Sequence, residues 1–331
     1  MHVVRKLMLV LAAFLASGGV NAGDLTVYSA LESDEIAVYL KAAHIALPDI
    51  DVHILRLSSG DLAARLLAES AEPRTDVVWG MALTDMLDPR IARLFAPVAG
   101  ANIDTLPARF RGANWFAATG YMAALCVNTQ ALAEQHLPVP HTWADLTRSV
   151  YRGQIAMPDP ASSGTGYMVL STLIDSGHRN AGWPLVEGIA RNLGQITLSG
   201  SNPCKLARIG EFPIGISFAF VAMQSIRQGY PIAMVLPADA TGYELEASGQ
   251  MKGASHARDA QRFLDWTASP DAAALYRQYK EIVAAPGVGP SSEQRAAGLP
   301  ADVAGSLPPR DFARAARDRA SIITRWKRLS R

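Results

Sequence analysis

Residues 25–80 read LTVYSALESDEIAVYLKAAHIALPDIDVHILRLSSGDLAARLLAESAEPRTDVVWG, and this stretch decides the fold. LTVY is a short β-rich run, and in the segment after it Ile36, Tyr39, Leu40, Ala43 and Leu47 fall at helical spacing. Pro48-Asp49 breaks that helix, and Asp51 to Leu57 (DVHILRL) reads as a second strand. SSGDLAARLLAES then reads as a second helix, its turns marked by Leu62, Leu66 and Glu69, before a third strand at Thr75 to Trp79. Strand, helix, strand, helix, strand with short connections predicts a parallel sheet of βαβ units.

The alternation continues beyond it. Residues 121–128, 154–157, 195–198, 213–218 and 232–236 are strand candidates, and His256 to Ser269 is a late helix. The expected architecture is α/β, with two lobes and the chain crossing between them near Ala113 to Tyr121 and again near Tyr243. Residues 23–115 and 244–285 are assigned to lobe 1 and 116–243 to lobe 2. Residues 286–331 form a C-terminal helical segment expected to pack on the lobes. Within it, Arg310 to Arg331 carries eight basic residues against two acidic ones. Phe312, Ala315, Ala316, Ile322, Ile323, Trp326 and Leu329 lie on one helical face, which is expected to cover the protein itself rather than a membrane or nucleic acid.

The N-terminus is an address. In MHVVRKLMLVLAAFLASGGVNA, Arg5 and Lys6 precede the apolar run Leu7 to Leu15, and Val20-Asn21-Ala22 offers a cleavage site. Residues 1–22 are therefore read as a signal peptide cleaved near Ala22, with export to a periplasm. No cysteine follows it that could carry a lipid, since Cys126 is the first in the chain. Losing Arg5 and Lys6 takes the 331-residue chain from a net charge of +1 to −1. A charged fraction of 18% argues against a disordered tail or a nucleic-acid arm. Phe212 to Met223 (FPIGISFAFVAM) is the nearest approach to a membrane span after the N-terminus, and it is too short. Cys126 and Cys204, in an exported chain, are candidates for a disulfide; a bonded pair and two buried thiols both remain open.

In an open parallel sheet, ligands bind beyond the carboxyl ends of the strands. Those ends hold Ser29 to Glu32, Ser58-Ser59-Gly60, Trp79-Gly80, Ser162-Ser163-Gly164-Thr165-Gly166 and Ser199-Gly200-Ser201. Hydroxyls and glycines at helix starts suit an anion, through exposed N–H groups and the positive end of the helix dipole. Each serine taken singly is an ordinary helix cap; together they predict an anion site. Neither GK[ST] nor GxGxxG is present, which disfavours a nucleotide. Trp79 is placed either to cover a cation or to fill the core. Glu32 and Glu246 are candidate partners for an ammonium, and Glu32 equally a first-turn residue favoured by the dipole. No catalytic residues, metal ligands or cofactor are predicted: GISFA around Ser217 lacks the final glycine of a nucleophile elbow, and the histidines show no HxH or HExxH spacing.

With export, two α/β lobes and anion-suited loops, the chain resembles a periplasmic substrate-binding protein of an ABC importer over nearly all of residues 25–290. The wider family, which includes the ferric-ion-binding proteins, is carried by LTVYSALE, TDVVWG and MKGASHARDAQRFLDWTASPDAAALY. Within it, TWADLTRSVYRGQIAMPDPASSGTGYM, SGSNPCK and GEFPIGISF are similar to the 2-aminoethylphosphonate-binding branch. The resemblance implies a class II fold with a hinge, closing like a clamp over a ligand in the cleft. It implies no enzyme activity, but delivery of a small phosphonate, foremost 2-aminoethylphosphonate, to an inner-membrane ABC permease by a monomer. By motif match, Ser29, Ser59, Gly60, Ser162, Ser163, Gly164 and Thr165 would donate to the phosphonate, joined by Ser199 and Ser201. Glu32 and Glu246 would meet the amine. The chain departs from the motif at Ser29, where threonine is expected, and at Asn202, where lysine is expected. The rival within the fold is a ferric-ion, other small-anion or polyamine binder. Ferric sites typically use an adjacent tyrosine pair, and none of the nine tyrosines are neighbours. An exported hydrolase would need a metal cluster or an activated nucleophile.

Overall fold

The computed structural model describes residues 23–175 and 182–329. The proposed signal peptide and the last two residues of the C-terminal segment lie outside the described residues. Ten strands form one sheet: β1 (Gly23–Ser29), β2 (Ile50–Arg56), β3 (Val77–Ala82), β4 (Phe116–Asn128), β5 (Ile155–Pro158), β6 (Leu193–Thr197), β7 (Ile214–Phe218), β8 (Ile232–Val235), β9 (Tyr243–Gln250) and β10 (Ile282–Val283). The order is β2-β1-β3-β9-β4-β7-β5-β6, with β8 and β10 also on β4.

The opening stretch folds as its periodicity dictates. β1 pairs in parallel with β2 and β3, and the connecting helices are Ser33–Ala46 and Ser59–Ala68. Ile36, Tyr39 and Ala43 bury one side of the first helix, and Leu62 and Leu66 one side of the second. Each fully buried leucine contributes about 2 kcal/mol over an exposed one.

β4 and β9 make the hinge. They pair antiparallel from Phe116 opposite Ser248 to Met122 opposite Tyr243. Beyond this, β4 leaves β9 and pairs with β7 and β8. The apolar core divides in the same place: Phe116, Ala117 and Met122 belong to one buried cluster, Tyr121, Ala123 and Leu125 to the other. The parallel pattern expected from the sequence holds for β2, β1 and β3 but ends within the first lobe, where β9 returns antiparallel beside β3, and parallel pairing resumes in the second lobe between β5 and its neighbours β6 and β7. β9 escapes the sequence reading because YELEASGQ carries two glutamates, which the fold buries.

The C-terminal segment serves both cores. Leu299 and Val303 join the first cluster. The helix Phe312–Leu329 puts Ala315, Ile322, Ile323 and Trp326 into the second, while Phe312 packs on the first and Leu329 stays 37% exposed. Among the described residues, no helix is long and apolar enough to cross a membrane.

Cys126 and Cys204 are bonded, with Cα atoms 5.2 Å apart across 78 residues of sequence. The bridge fastens the helix Asn202–Arg208 to β4. That helix lies so close to β7 that a Cβ on Gly215 would stand 2.3 Å from Pro203 O. Changing both cysteines to alanine is expected to lower the unfolding free energy by about 2–4 kcal/mol in urea titration, since the unfolded chain regains the freedom of a long loop.

Candidate functional site

The cleft between the lobes is closed. Gly60 N–H donates to Ser162 O across it at 3.0 Å, and Gln224 reaches Asp34 at 2.6 Å. A cavity of about 40 Å³ remains at the carboxyl ends of the strands. From the first lobe it is lined by Glu32, Glu35, Arg56, Ser59, Gly80, Glu246 and Lys280. From the second come Ser163, Gly164, Thr165 and Gly200, with Tyr121 and Phe218 completing the walls. A larger space of about 340 Å³ opens beside it, lined by Glu32, Ser201 and Lys205 among others. A third cavity, about 440 Å³ near Thr172, Tyr243 and Arg310, holds none of the predicted residues.

Two helix starts meet at the cavity. Ser59 and Gly60 open the helix Ser59–Ala68, and Gly164 and Thr165 open Gly164–Asp175. The approach requires glycine: a Cβ on Gly164 would stand 3.0 Å from Ser59 Cβ, and one on Gly60 2.3 Å from Ala161 O. Ser59 Oγ accepts from Ala82 N–H at 3.0 Å and Ser163 Oγ from Gly166 N–H at 3.2 Å, which leaves each hydroxyl hydrogen free to point elsewhere. Among the described residues, none accepts from the N–H groups of Gly164 and Thr165.

The other predicted donors serve the walls. Ser29 donates to Trp79 O at 2.9 Å and accepts from Leu31 N–H at 3.2 Å. Ser162 donates to Leu198 O at 3.0 Å. Ser199 and Ser201 share a hydrogen bond of 3.1 Å, and Ser201 donates across the cleft to Glu32 Oε2 at 3.2 Å. Ser217 Oγ donates to Gly200 O at 2.7 Å, propping that loop rather than serving as a nucleophile.

Trp79 does not line the cavity. It is 3% exposed, and its ring packs against Tyr39 and Phe263, with centroids 5.9 and 5.3 Å away, so it fills the core. The two predicted amine partners already hold cations of the chain. Glu32 Oε1 lies 3.0 Å from Arg56 Nη2, and its Oε2 lies 3.8 Å from Lys205 Nζ. Lys205 stands one turn after Asn202, where the motif expects lysine. Glu246 accepts from Lys280 Nζ at 2.6 Å and from Thr119 at 2.6 Å.

Lys280 was not predicted. It is 2% exposed and bridges Glu246 to Glu35, the latter at 2.8 Å. Burial works against its charge, but Glu246 and Glu35 outweigh it and hold the ammonium above its ordinary pKa. Burial pushes Glu35 up to about 7 against the pull of Lys280. Glu35 also accepts from Tyr39 Oη at 3.1 Å and Glu32 N–H at 2.7 Å. Lys280 sits in YKEIV, with no periodicity to mark it; Arg56 ends a strand and was open to the same rule that found the serines.

Behind the hinge, burial raises Glu281 to about 8 and Glu244 to about 7, with Lys280 and Arg310 respectively pulling them back. Both are therefore protonated in the native state at pH values where the unfolded chain is ionised. Their contribution is full below about pH 4, the unfolded value, and is lost as pH rises through the folded values. Glu281→Gln is accordingly expected to melt roughly 5 °C above the wild-type chain at pH 9 and close to it at pH 5, by calorimetry.

Asp24, Asp51 and His53 are the one group of ligating side chains close enough to share a cation among the described residues. They are exposed, and they lie toward the start of β1 and β2, away from the cleft.

The family described as bacterial extracellular solute-binding proteins matches residues 90–311. An uncharacterised protein of Haemophilus influenzae is 32% identical over 270 residues, covering 79% of this chain and 78% of its own length. A probable ABC transporter periplasmic-binding protein, y4fP of Sinorhizobium fredii, is 26% identical over 263 residues, covering 77% and 72%. Among solved structures, the periplasmic binding protein AfuA from Actinobacillus pleuropneumoniae, with exogenous fructose-6-phosphate bound, superposes with a TM-score of 0.84. It is 26% identical, and the match covers 93% of this chain and 98% of that one.

Proposed function

This chain belongs to the bacterial extracellular solute-binding protein family, and we propose that it captures a small phosphonate in the periplasm, foremost 2-aminoethylphosphonate. After loss of residues 1–22 it acts as a monomer and hands its ligand to an inner-membrane ABC permease. Its family is one of binding proteins, so the cleft is a place of capture rather than of catalysis.

The observation that carries this reading is the convergence of two helix starts, from opposite lobes, on one small cavity. Each presents N–H groups and the positive end of a dipole, and each adds a hydroxyl from Ser59 or Ser163. A tetrahedral phosphonate offers oxygens in both directions at once. Lys280 adds a cation, while Glu35 and Glu246 keep the site from drawing anions indiscriminately. Glu32 lines both the cavity and the space beside it, where the aminoethyl arm would extend.

One observation favours a second reading, a phosphate monoester such as a sugar phosphate. Glu32, Glu35 and Glu246 are already paired with Arg56 and Lys280, so an ammonium must compete for them, whereas a ligand without one need not. The solved relative AfuA holds fructose-6-phosphate. A ferric site is less well supported, because Tyr121 is the one tyrosine lining the cavity among the described residues.

Calorimetric titration with 2-aminoethylphosphonate, fructose-6-phosphate, inorganic phosphate and ferric citrate separates these. The first ligand is expected to bind with micromolar or tighter affinity. Binding of fructose-6-phosphate alone would transfer the assignment to monoesters, and binding of iron alone would sink both.

A further inference from the structure

The helix Phe312–Leu329 has no part in the function proposed above, yet it packs in the second core and pairs with a residue of the first lobe. Its apolar side packs in the second core, where Tyr167 donates its hydroxyl to Ala315 O. From this platform Arg319 Nε lies 2.6 Å from Asp85 Oδ1. Asp85 belongs to the other lobe: it sits in the short helix Leu83–Met86, whose Leu83 and Met86 are in the first core.

The pair is buried, with Asp85 1% and Arg319 17% exposed. Neither carboxylate oxygen of Asp85 has a hydrogen-bond partner among the described residues, so the contact is an ion pair without a well-aligned bond, and Arg319 is the charge that compensates it. The guanidinium also stands 5.0 Å from the Tyr167 ring centroid. Its Nη2 donates to Ala161 O at 3.2 Å and Pro160 O at 3.4 Å. Those carbonyls immediately precede the Ser162 to Thr165 loop, and Ala161 O is the atom that Gly60 approaches from the opposite lobe.

We propose that Arg319 is a positioning residue for ligand capture: a latch that ties the closed arrangement of the lobes to the placement of the Ser162 to Thr165 loop. The inference rests on the cleft being the binding site. On this proposal the lobes part between Leu83–Met86 and Phe312–Leu329, Asp85 returns to water while Arg319 stays on Tyr167, and the pair belongs to the closed state. A buried ion pair is worth little against an apolar substitute, but removal of one partner strands a charge. Loss of Arg319 alone therefore penalises closure, and the penalty is relieved by opening rather than by unfolding.

Amide exchange on the ligand-free protein tests this. Gly60 N–H, bonded to Ser162 O across the cleft, reports closure, and the buried strand β1 reports the integrity of its lobe. Gly60 is expected to be protected in the wild-type chain. Arg319→Met should speed its exchange at least about tenfold with β1 unchanged. The double variant Arg319→Met/Asp85→Asn, which strands no charge, should recover most of the protection. Unprotected Gly60 in the wild-type chain, an Arg319→Met variant that exchanges like it, or equal acceleration in β1 would overturn the latch. No ligand is added, so failure to bind 2-aminoethylphosphonate leaves this outcome readable.

Discussion

With Lys280 replaced by methionine, the protein is expected to melt roughly 5–10 °C lower and to lose affinity for the proposed anionic ligand. The ammonium lies 2.8 Å from Glu35 and 2.6 Å from Glu246 at 2% exposure. Methionine replaces most of the stem, so the deficit is mainly one of charge. Two carboxylates are left facing each other where water is excluded, and breaking such a buried pair costs about 3–5 kcal/mol. Thr119 and Tyr39 still donate to them, but neutral hydroxyls do not balance two charges. Adding Glu35→Gln and Glu246→Gln removes the repulsion and should restore most of the melting temperature. Affinity should not return, because the cavity has lost its cation and the carboxylates around it. Calorimetry for melting and titration for binding thus separate the structural role of Lys280 from its electrostatic one. A single variant that melts within about 1 °C of wild type would show that solvent reaches the pair in solution.

The division between what the sequence made legible and what it hid follows from the range of the interactions. The opening stretch from β1 to β3 was readable because Ile36, Tyr39 and Ala43, or Leu62 and Leu66, are local neighbours whose spacing encodes a buried face. The serine and glycine loops were readable as cleft-facing strand ends because hydroxyls and glycines there say what the local backbone can offer, and Ser59, Ser163, Gly164 and Thr165 line the cavity. Lys280 was hidden because its meaning lies in partners 245 and 34 residues away, Glu35 and Glu246. The same distance misled the reading of Glu32 and Glu246, which look free for a ligand until Arg56 and Lys280 are folded beside them. Trp79 was ambiguous for a further reason: a strand end next to glycine faces either cleft or core, and the neighbouring rings of Tyr39 and Phe263 decide it. Asp85 and Arg319, 234 residues apart in numbering, belong with these long-range pairs.

Gly60→Ala is expected to weaken ligand binding at least about 100-fold, close to 3 kcal/mol, while lowering the ligand-free melting temperature only slightly, by the small margin that favours the closed over the open arrangement. A Cβ at this position would stand 2.3 Å from Ala161 O and 2.8 Å from the carbonyl of Ser162, all backbone of the opposite lobe. Backbone cannot swing aside as a long side chain can, so the lobes must stay apart. Separation breaks the Gly60 to Ser162 hydrogen bond and parts the two helix starts that line the cavity. In the open arrangement the methyl meets water, and alanine in a first helical turn is favoured over glycine by about 0.5–1 kcal/mol. Gly164→Ala should act in the same sense but less, since its nearest neighbours are the Cβ atoms of Ala82 and Ser59 at 2.8 and 3.0 Å. Gly166→Ala is the contrast, because its Cβ would stand 2.6 Å from Pro158 O, within its own lobe. That variant should lose melting temperature with or without ligand. If Gly60→Ala and Gly166→Ala instead behave alike, the closeness at Gly60 is a packing constraint of the fold and closure over the ligand is not what the glycine serves.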